Sequence, residues 1–171
     1  MLGFQDEASF GRISEPAYCW SPPKERPCVP SQRIRQYKPA YGTVFPETGE
    51  SFFMVLEKCN TENMAIYLKA LSEQFPDDLI LLCVDRASYH TTKKLPIPSN
   101  IKLFFLLPRT PQMNPMEIVW REIRKRGFKN RIFKSMGEVI ARFYEVVESL
   151  TNEALQSVSL WGWVRNIVEL F

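Results

Sequence analysis

Leu79-Ile80-Leu81-Leu82-Cys83-Val84-Asp85 is a continuous apolar run of strand length that ends on a carboxylate. A second run, Ile101-Lys102-Leu103-Phe104-Phe105-Leu106-Leu107, is closed by Pro108. Such runs lack the polar alternation of a half-exposed strand. They fit strands covered on both faces, as in the parallel part of an α/β sheet. Upstream, Asn60-Thr61-Glu62-Asn63 opens a helix on which Met64, Leu68, Leu71 and Phe75 recur at helical spacing, and Pro76 ends it. Ala40–Phe45 and Ser51–Leu56 flank Pro46-Glu47-Thr48-Gly49-Glu50 and read as a β-hairpin. Leu2–Phe10 fits a buried strand interrupted by Gln5, Asp6 and Glu7, whereas Ile13–Lys38 is rich in proline and reads as an irregular flap or hairpin. Downstream the pattern turns helical from Pro115 to about Gly127, from Ser135 to Leu150, and from Asn152 to Val158. Strand, hairpin, helix, strand, strand and then helices predict an α/β fold: a mixed sheet with an antiparallel hairpin and a parallel portion, flanked by helices.

Composition sets the outer limits. A chain of 171 residues with 45% hydrophobic and 24% charged residues suits one folded domain and argues against disorder. The net charge of +3 is compatible with a nucleic-acid partner without requiring one. Cys19, Cys28, Cys59 and Cys83 form no CxxC pair, and the chain has one histidine, so a structural zinc site is not expected. Without a secretory leader, disulfides are not expected either, and Cys83 reads as a small core residue. No apolar stretch approaches the roughly 20 residues that span a bilayer. The expected setting is cytoplasmic, with no membrane partner.

Three carboxylates stand where buried elements begin or end: Asp6 within the first strand, Asp85 at the end of the Leu79–Val84 strand, and Glu117 in the first turn of the helix after Asn114-Pro115. In open α/β sheets, ligands and catalytic groups gather at the carboxyl ends of parallel strands. Hard divalent cations take oxygen ligands from carboxylates and substrate phosphates. Two such ions about 4 Å apart can activate a nucleophile and stabilise the leaving oxygen of a phosphoryl displacement. Each acid also has a plainly structural reading. Strand alternation lets only one of Asp6 and Glu7 face such a site. Asp85 could cap a turn, and Glu117 falls at the third position of a helix with Asn114 as its cap, where a capping-box glutamate is expected. Spacing alone does not decide between these.

The motifs around the three acids add a second line of argument. Gln5-Asp6-Glu7-Ala8-Ser9-Phe10-Gly11-Arg12 resembles the first-aspartate motif of bacterial insertion-sequence transposases in the mariner superfamily. Val84-Asp85-Arg86-Ala87-Ser88-Tyr89-His90 looks like their second-aspartate motif, and Leu106–Trp120, with Asn114-Pro115-Met116-Glu117, is similar to their third-carboxylate segment. Tyr41-Gly42-Thr43-Val44 and Thr48-Gly49-Glu50 resemble the hairpin between the two aspartates. The resemblance runs from Phe4 to at least Phe133. It implies a ribonuclease-H-like (retroviral-integrase-like) fold with two Mg²⁺ or Mn²⁺ ions at Asp6, Asp85 and Glu117, Asp6 bridging them. The implied reaction is cut-and-paste transposition: water opens the strand at the element's end, and the freed 3′-hydroxyl attacks target DNA. The partners implied are transposon ends, target DNA and a second copy of the chain on DNA.

Two departures accompany the resemblance. Arg86 stands where the family more often has Asn or Gly. The family usually carries helix-turn-helix modules upstream, and none fits before Asp6, so the expectation is a single catalytic domain over residues 1–171. That arrangement suits a split reading frame, an expressed fragment or a decayed copy, and a non-catalytic remnant that only binds DNA or dimerises is the alternative reading.

His90, five residues past Asp85, is expected to reach the site, against the alternative that it is structural. The expected DNA contacts are Arg86, Lys93, Lys94, Arg109, Asn114, Arg121, Arg124 and Lys125. On the helix after Pro115, Met116, Val119, Trp120 and Ile123 make the apolar stripe and leave Arg121, Arg124 and Lys125 on the other side. Trp20 has two readings, stacking on an unpaired base or packing under the flap.

Overall fold

Strand β1 (Leu2–Ile13) is the axis of a five-stranded sheet in the computed structural model, which describes residues 1–108 and 110–168. Its antiparallel partner β2 (Arg33–Val44) continues through the hairpin to β3 (Ser51–Val55). On its other side lie β4 (Ile80–Val84) and β5 (Ile101–Phe105), both parallel to it, giving the spatial order β3-β2-β1-β4-β5. The mixed sheet predicted from the apolar runs is therefore present.

Each face of the sheet has its own core. Helix α1 (Thr61–Gln74), opened by the Asn60 side chain accepting the Asn63 N–H, packs Met64, Tyr67, Leu68 and Leu71 against Tyr41, Phe45, Ile80, Leu82 and Val84. A short helix α2 (Ser88–Thr91) follows β4. The opposite face, with Phe4, Ala8, Phe10, Ala40 and Val44, is covered by α3 (Met116–Gly127), α4 (Met136–Glu148) and α5 (Asn152–Ser159). The stripe Met116, Val119, Trp120 and Ile123 is fully buried there, as its spacing predicts. Cys83 is buried as expected, and a further helix, α6 (Gly162–Val168), sets Trp163 edge-on to Phe4 at 5.9 Å. Among the described residues, no helix is long and apolar enough to cross a membrane.

Of the two readings of Ile13–Lys38, flap or hairpin, the structure favours the hairpin at the base of the arm. β1 runs on to Ile13 and β2 begins at Arg33, so the arm is a paired ribbon for much of its length. Residues Arg33–Tyr37 are exposed, so backbone pairing continues where side-chain patterning carries no signal.

Gly42 pairs with Asp6 across β1 and β2, under α3. A methyl group there would lie 2.5 Å from Trp120 Cη2, 2.7 Å from Met116 Cε and 2.8 Å from Phe53 Cε1. Gly49 adopts φ +74° in the hairpin loop, against the Asn152 carbonyl. Only a residue without Cβ lets the largest side chain of α3 lie flat on β2. Gly42→Ala is expected to lower stability by about 1–3 kcal/mol through overpacking. Chemical denaturation measures this, and a midpoint equal to wild type would show that α3 yields without strain.

Candidate active site

Parallel pairing of β1 with β4 brings the middle of β1 beside the carboxyl end of β4. The start of α3 is tied to β1, where Asn114 donates to the Gln5 carbonyl. Asp6, Asp85 and Glu117, from these three elements, line one cleft of about 370 Å³ together with Arg86 and Asn114.

Asp6 is largely enclosed, and its Oδ2 accepts a hydrogen bond from the Trp120 indole at 3.1 Å. Burial raises its pKa from the usual 3.8 to about 7, and the charges of Glu7 and Glu117 push in the same direction. The indole bond opposes that rise and fixes the carboxyl group's orientation.

Asn114 ties the start of α3 to the central strand. Its Nδ2 donates to the Gln5 carbonyl at 2.9 Å, and its Oδ1 accepts the Met116 N–H at 3.1 Å. Asn114 therefore does cap the helix, although Pro115 already has helical backbone angles. It is buried, so its main contact is with protein backbone. Glu117 is exposed toward the cleft, and no bond from its side chain back to the Asn114 backbone N–H is present among the described residues. The capping-box reading of Glu117 is thus not what the structure shows.

Asp85 is held at its base: its Oδ1 accepts the Ala87 N–H at 2.9 Å and His90 Nδ1–H at 2.7 Å. The turn-capping role and the cleft position therefore coexist in one side chain. His90 is not in the cleft wall. Its side chain is 1% exposed and reaches Asp85 from behind, while Nε2 faces Glu7 Oε1 at 3.1 Å. Burial would lower the histidine's pKa, but the bond to Glu7 and the charges of Glu7 and Asp85 outweigh it and raise it above its ordinary value. Glu7 points to the α1 face, where it also accepts from Gln5 Nε2 at 2.9 Å and the Tyr89 hydroxyl at 3.1 Å. The sequence offered Glu7 as the alternative to Asp6 at the site and gave Tyr89 no role; it is Asp6 that lines the cleft. The available signal was the alternation of β1, since an acid on a covered strand face needs a partner.

The basic residues divide. Arg121, Arg124, Lys125 and Lys129 line a groove of about 520 Å³ that shares Glu117 with the cleft. Arg124 lies over the Phe10 ring at 5.1 Å, and Arg124 and Lys129 both pair with Glu15, at 3.5 and 2.6 Å. Arg86 lies at the cleft over Phe105, 5.8 Å from the ring centroid. Lys93 and Lys94 are exposed beyond α2 and do not line the cleft. Arg109 falls outside the described residues. Trp20 is 103% exposed, which overturns packing under the flap, because the arm's outer loop has no core to pack into.

The donor set suits a hard cation. Asp6, Asp85 and Glu117 offer only oxygen, and the burial that raises Asp6, with the added repulsion of Glu7 and Glu117, is a cost to its charged form that a bound cation would offset. Among the described residues no three His, Cys, Asp or Glu side chains stand close enough to enclose an ion, so the acids stand apart around the cleft.

Comparison with known proteins places this geometry. A structure of the Mos1 transposase paired-end complex with left transposon end superposes with a TM-score of 0.70 at 13% identity, over 92% of this chain and 51% of that one. The Mos1 mariner paired-end complex with Mn gives 0.69 at 13% identity with the same coverage. At that identity the likeness is one of fold, ribonuclease-H-like, and this chain spans about half the length of those transposase chains. An uncharacterized protein of Sinorhizobium fredii (strain NBRC 101917 / NGR234), y4pE/y4sA, is 34% identical over 128 residues, covering 73% of this chain and 95% of that protein. The sequence profile of the family described as DDE superfamily endonuclease matches residues 1–140. That family match establishes the kinship to which the three motifs pointed: the chain belongs to the DDE superfamily endonucleases.

Proposed function

We propose that this domain is the catalytic core of a transposase that cuts and joins DNA phosphodiester bonds, with Asp6, Asp85 and Glu117 holding divalent metal, Mg²⁺ or Mn²⁺. The observation that carries the reading is the convergence of three carboxylates from separate elements on one cleft that opens into a basic groove. The Mos1 structures support it, one being a complex with a transposon end and another a complex with Mn.

When bound, the metal would lower the pKa of an attacking water and stabilise charge on the transferring phosphate. The chain's own residues supply position. Trp120 aims Asp6, the Ala87 N–H and His90 aim Asp85, and the Asn114 tether sets the first turn of α3 that carries Glu117. Arg121, Arg124 and Lys125 offer phosphate contacts that lead DNA along α3 to the carboxylates, with Arg86 lining the cleft itself. Water attacks a phosphate at the element's end and breaks its P–O3′ bond, leaving a 3′-hydroxyl and a 5′-phosphate. That hydroxyl then attacks a phosphate of the target, forming one P–O bond as the target strand's own 3′-oxygen leaves as a hydroxyl.

Nicking of supercoiled plasmid in Mn²⁺ tests the assignment. Wild type is expected to nick, and Asp85→Ala and Glu117→Ala are each expected to lose more than the roughly 100-fold that a supporting residue can cost. Nicking by either variant at the wild-type rate would remove that acid from the site. The raised pKa of Asp6 adds a pH dependence. Because a ligand carboxylate must shed its proton, Mn²⁺ affinity is expected to rise with pH and level off above about 7. Without metal the sign reverses: protonated Asp6 favours the folded state below its unfolded pKa of 3.8, and that stability is gone above about 7. Metal-free Asp6→Asn is therefore expected to melt higher than wild type at pH 8, and an equal or lower melting temperature would refute the buried-charge account. Joining two ends calls for two catalytic domains on one DNA assembly, so light scattering of the DNA complex is expected to give a dimer's mass rather than a monomer's.

A further inference from the structure

The cluster behind the cleft carries an inference about Glu7. Two carboxylates flank one imidazole: Asp85 Oδ1 lies 2.7 Å from Nδ1 of His90, and Glu7 Oε1 lies 3.1 Å from Nε2. The ring is 1% exposed and the Glu7 side chain 8%, so water has little access to either contact. Carboxylate oxygens accept hydrogen bonds, so each N···O line must contain a hydrogen. Whichever atom formally carries the one between Nε2 and Glu7, Nδ1 is left as the donor to Asp85.

Glu7 is itself fixed. Gln5 donates to Oε1, Tyr89 donates to Oε2, and the Tyr89 ring stands edge-on to the imidazole at 4.4 Å. Among the described residues, Gln5 Oε1 is buried without a partner. The amide thus leaves its own acceptor unsatisfied to keep a donor on Glu7, the arrangement expected when the carboxylate dominates the local field.

We propose that Glu7, although it faces away from the cleft, is a positioning residue: it anchors the His90 ring so that Nδ1 occupies one oxygen of Asp85 and leaves the other to the cleft. The proposal rests on the reading of Asp85 as a metal ligand. It assigns His90 and Glu7 a supporting chain of the kind that orients ligands elsewhere, where loss of a member costs about 10–100-fold in metal affinity.

His90 is the chain's single histidine, so its ring nitrogens give the sole histidine signals in a long-range ¹H–¹⁵N correlation spectrum of the ¹⁵N-labelled protein. That spectrum and Mn²⁺ binding, read by electron paramagnetic resonance, are measured for wild type, Glu7→Met, Glu7→Gln, Tyr89→Phe and Asp85→Ala. Glu7→Met removes the anchor at similar volume and is expected to shift the Nδ1 signal and weaken Mn²⁺ binding about 10–100-fold. Glu7→Gln can still hydrogen-bond Nε2 and is expected to recover most of that loss. A folded Glu7→Met protein that binds Mn²⁺ like wild type overturns the proposal, and so does a Glu7→Gln protein as impaired as Glu7→Met. If Glu7→Met does not fold, Tyr89→Phe decides. It removes only the donor to Oε2, and unchanged ring signals with unchanged Mn²⁺ affinity would then overturn the proposal. Asp85→Ala separates the two layers: undiminished Mn²⁺ binding there would refute the metal assignment, and the ring signals of the Glu7 variants alone would then judge the anchoring role.

Discussion

A central strand covered on both faces cannot carry two adjacent acids unless each finds its own partner. Asp6 and Glu7 sit side by side in β1, and pleating sends them to opposite faces. Asp6 meets the Trp120 indole on the α3 face, and Glu7 meets His90, Gln5 and Tyr89 on the α1 face. Neither solution is local. One depends on a helix more than a hundred residues downstream, the other on the turn after β4. The site is therefore assembled by satisfying buried charge, and the sheet's strand order makes those meetings possible.

Helix α3 is where these demands are reconciled. One turn of it sets Glu117 at the cleft, the next brings Trp120 onto Asp6, and further on its outer side presents Arg121, Arg124 and Lys125. Its start is fastened to β1 through Asn114, and its body lies flat on β2 because Gly42 has no side chain. A basic helix face would ordinarily be only solvated. Here it adjoins a carboxylate cleft, and the shared Glu117 makes one continuous surface of the two.

The long arm formed by β1 and β2 follows a different logic. Its base is stitched to the segment after α3, by Arg12 to the Phe133 carbonyl at 2.9 Å, Ser14 to the Arg131 carbonyl at 3.1 Å, and the Ala17 N–H to Asn130 at 2.8 Å. Its outer part presents Tyr18 and Trp20 to solvent. The bonds at the base align the arm with the basic groove, because Glu15 pairs with both Arg124 and Lys129.

Element order, the apolar runs of β4 and β5, the helix starts at Asn60 and Ser135 and the stripe on α3 were all legible in the chain, because hydrophobic period and helix-start chemistry are local properties. The three carboxylates were legible as candidates for the same reason, each marking the end or start of a buried element. The choice between flap and hairpin over Ile13–Lys38 was not legible, since backbone pairing over Arg33–Tyr37 is unaccompanied by burial. Nor were the partners of Asp6 and His90 legible, or the role of Glu7. Alternation states that Asp6 and Glu7 diverge, but not what waits on each side. Only the parallel docking of β4 beside β1 and the seating of α3 on Gly42 decided that, because hydrogen-bond partners distant in sequence are chosen by packing and not by spacing.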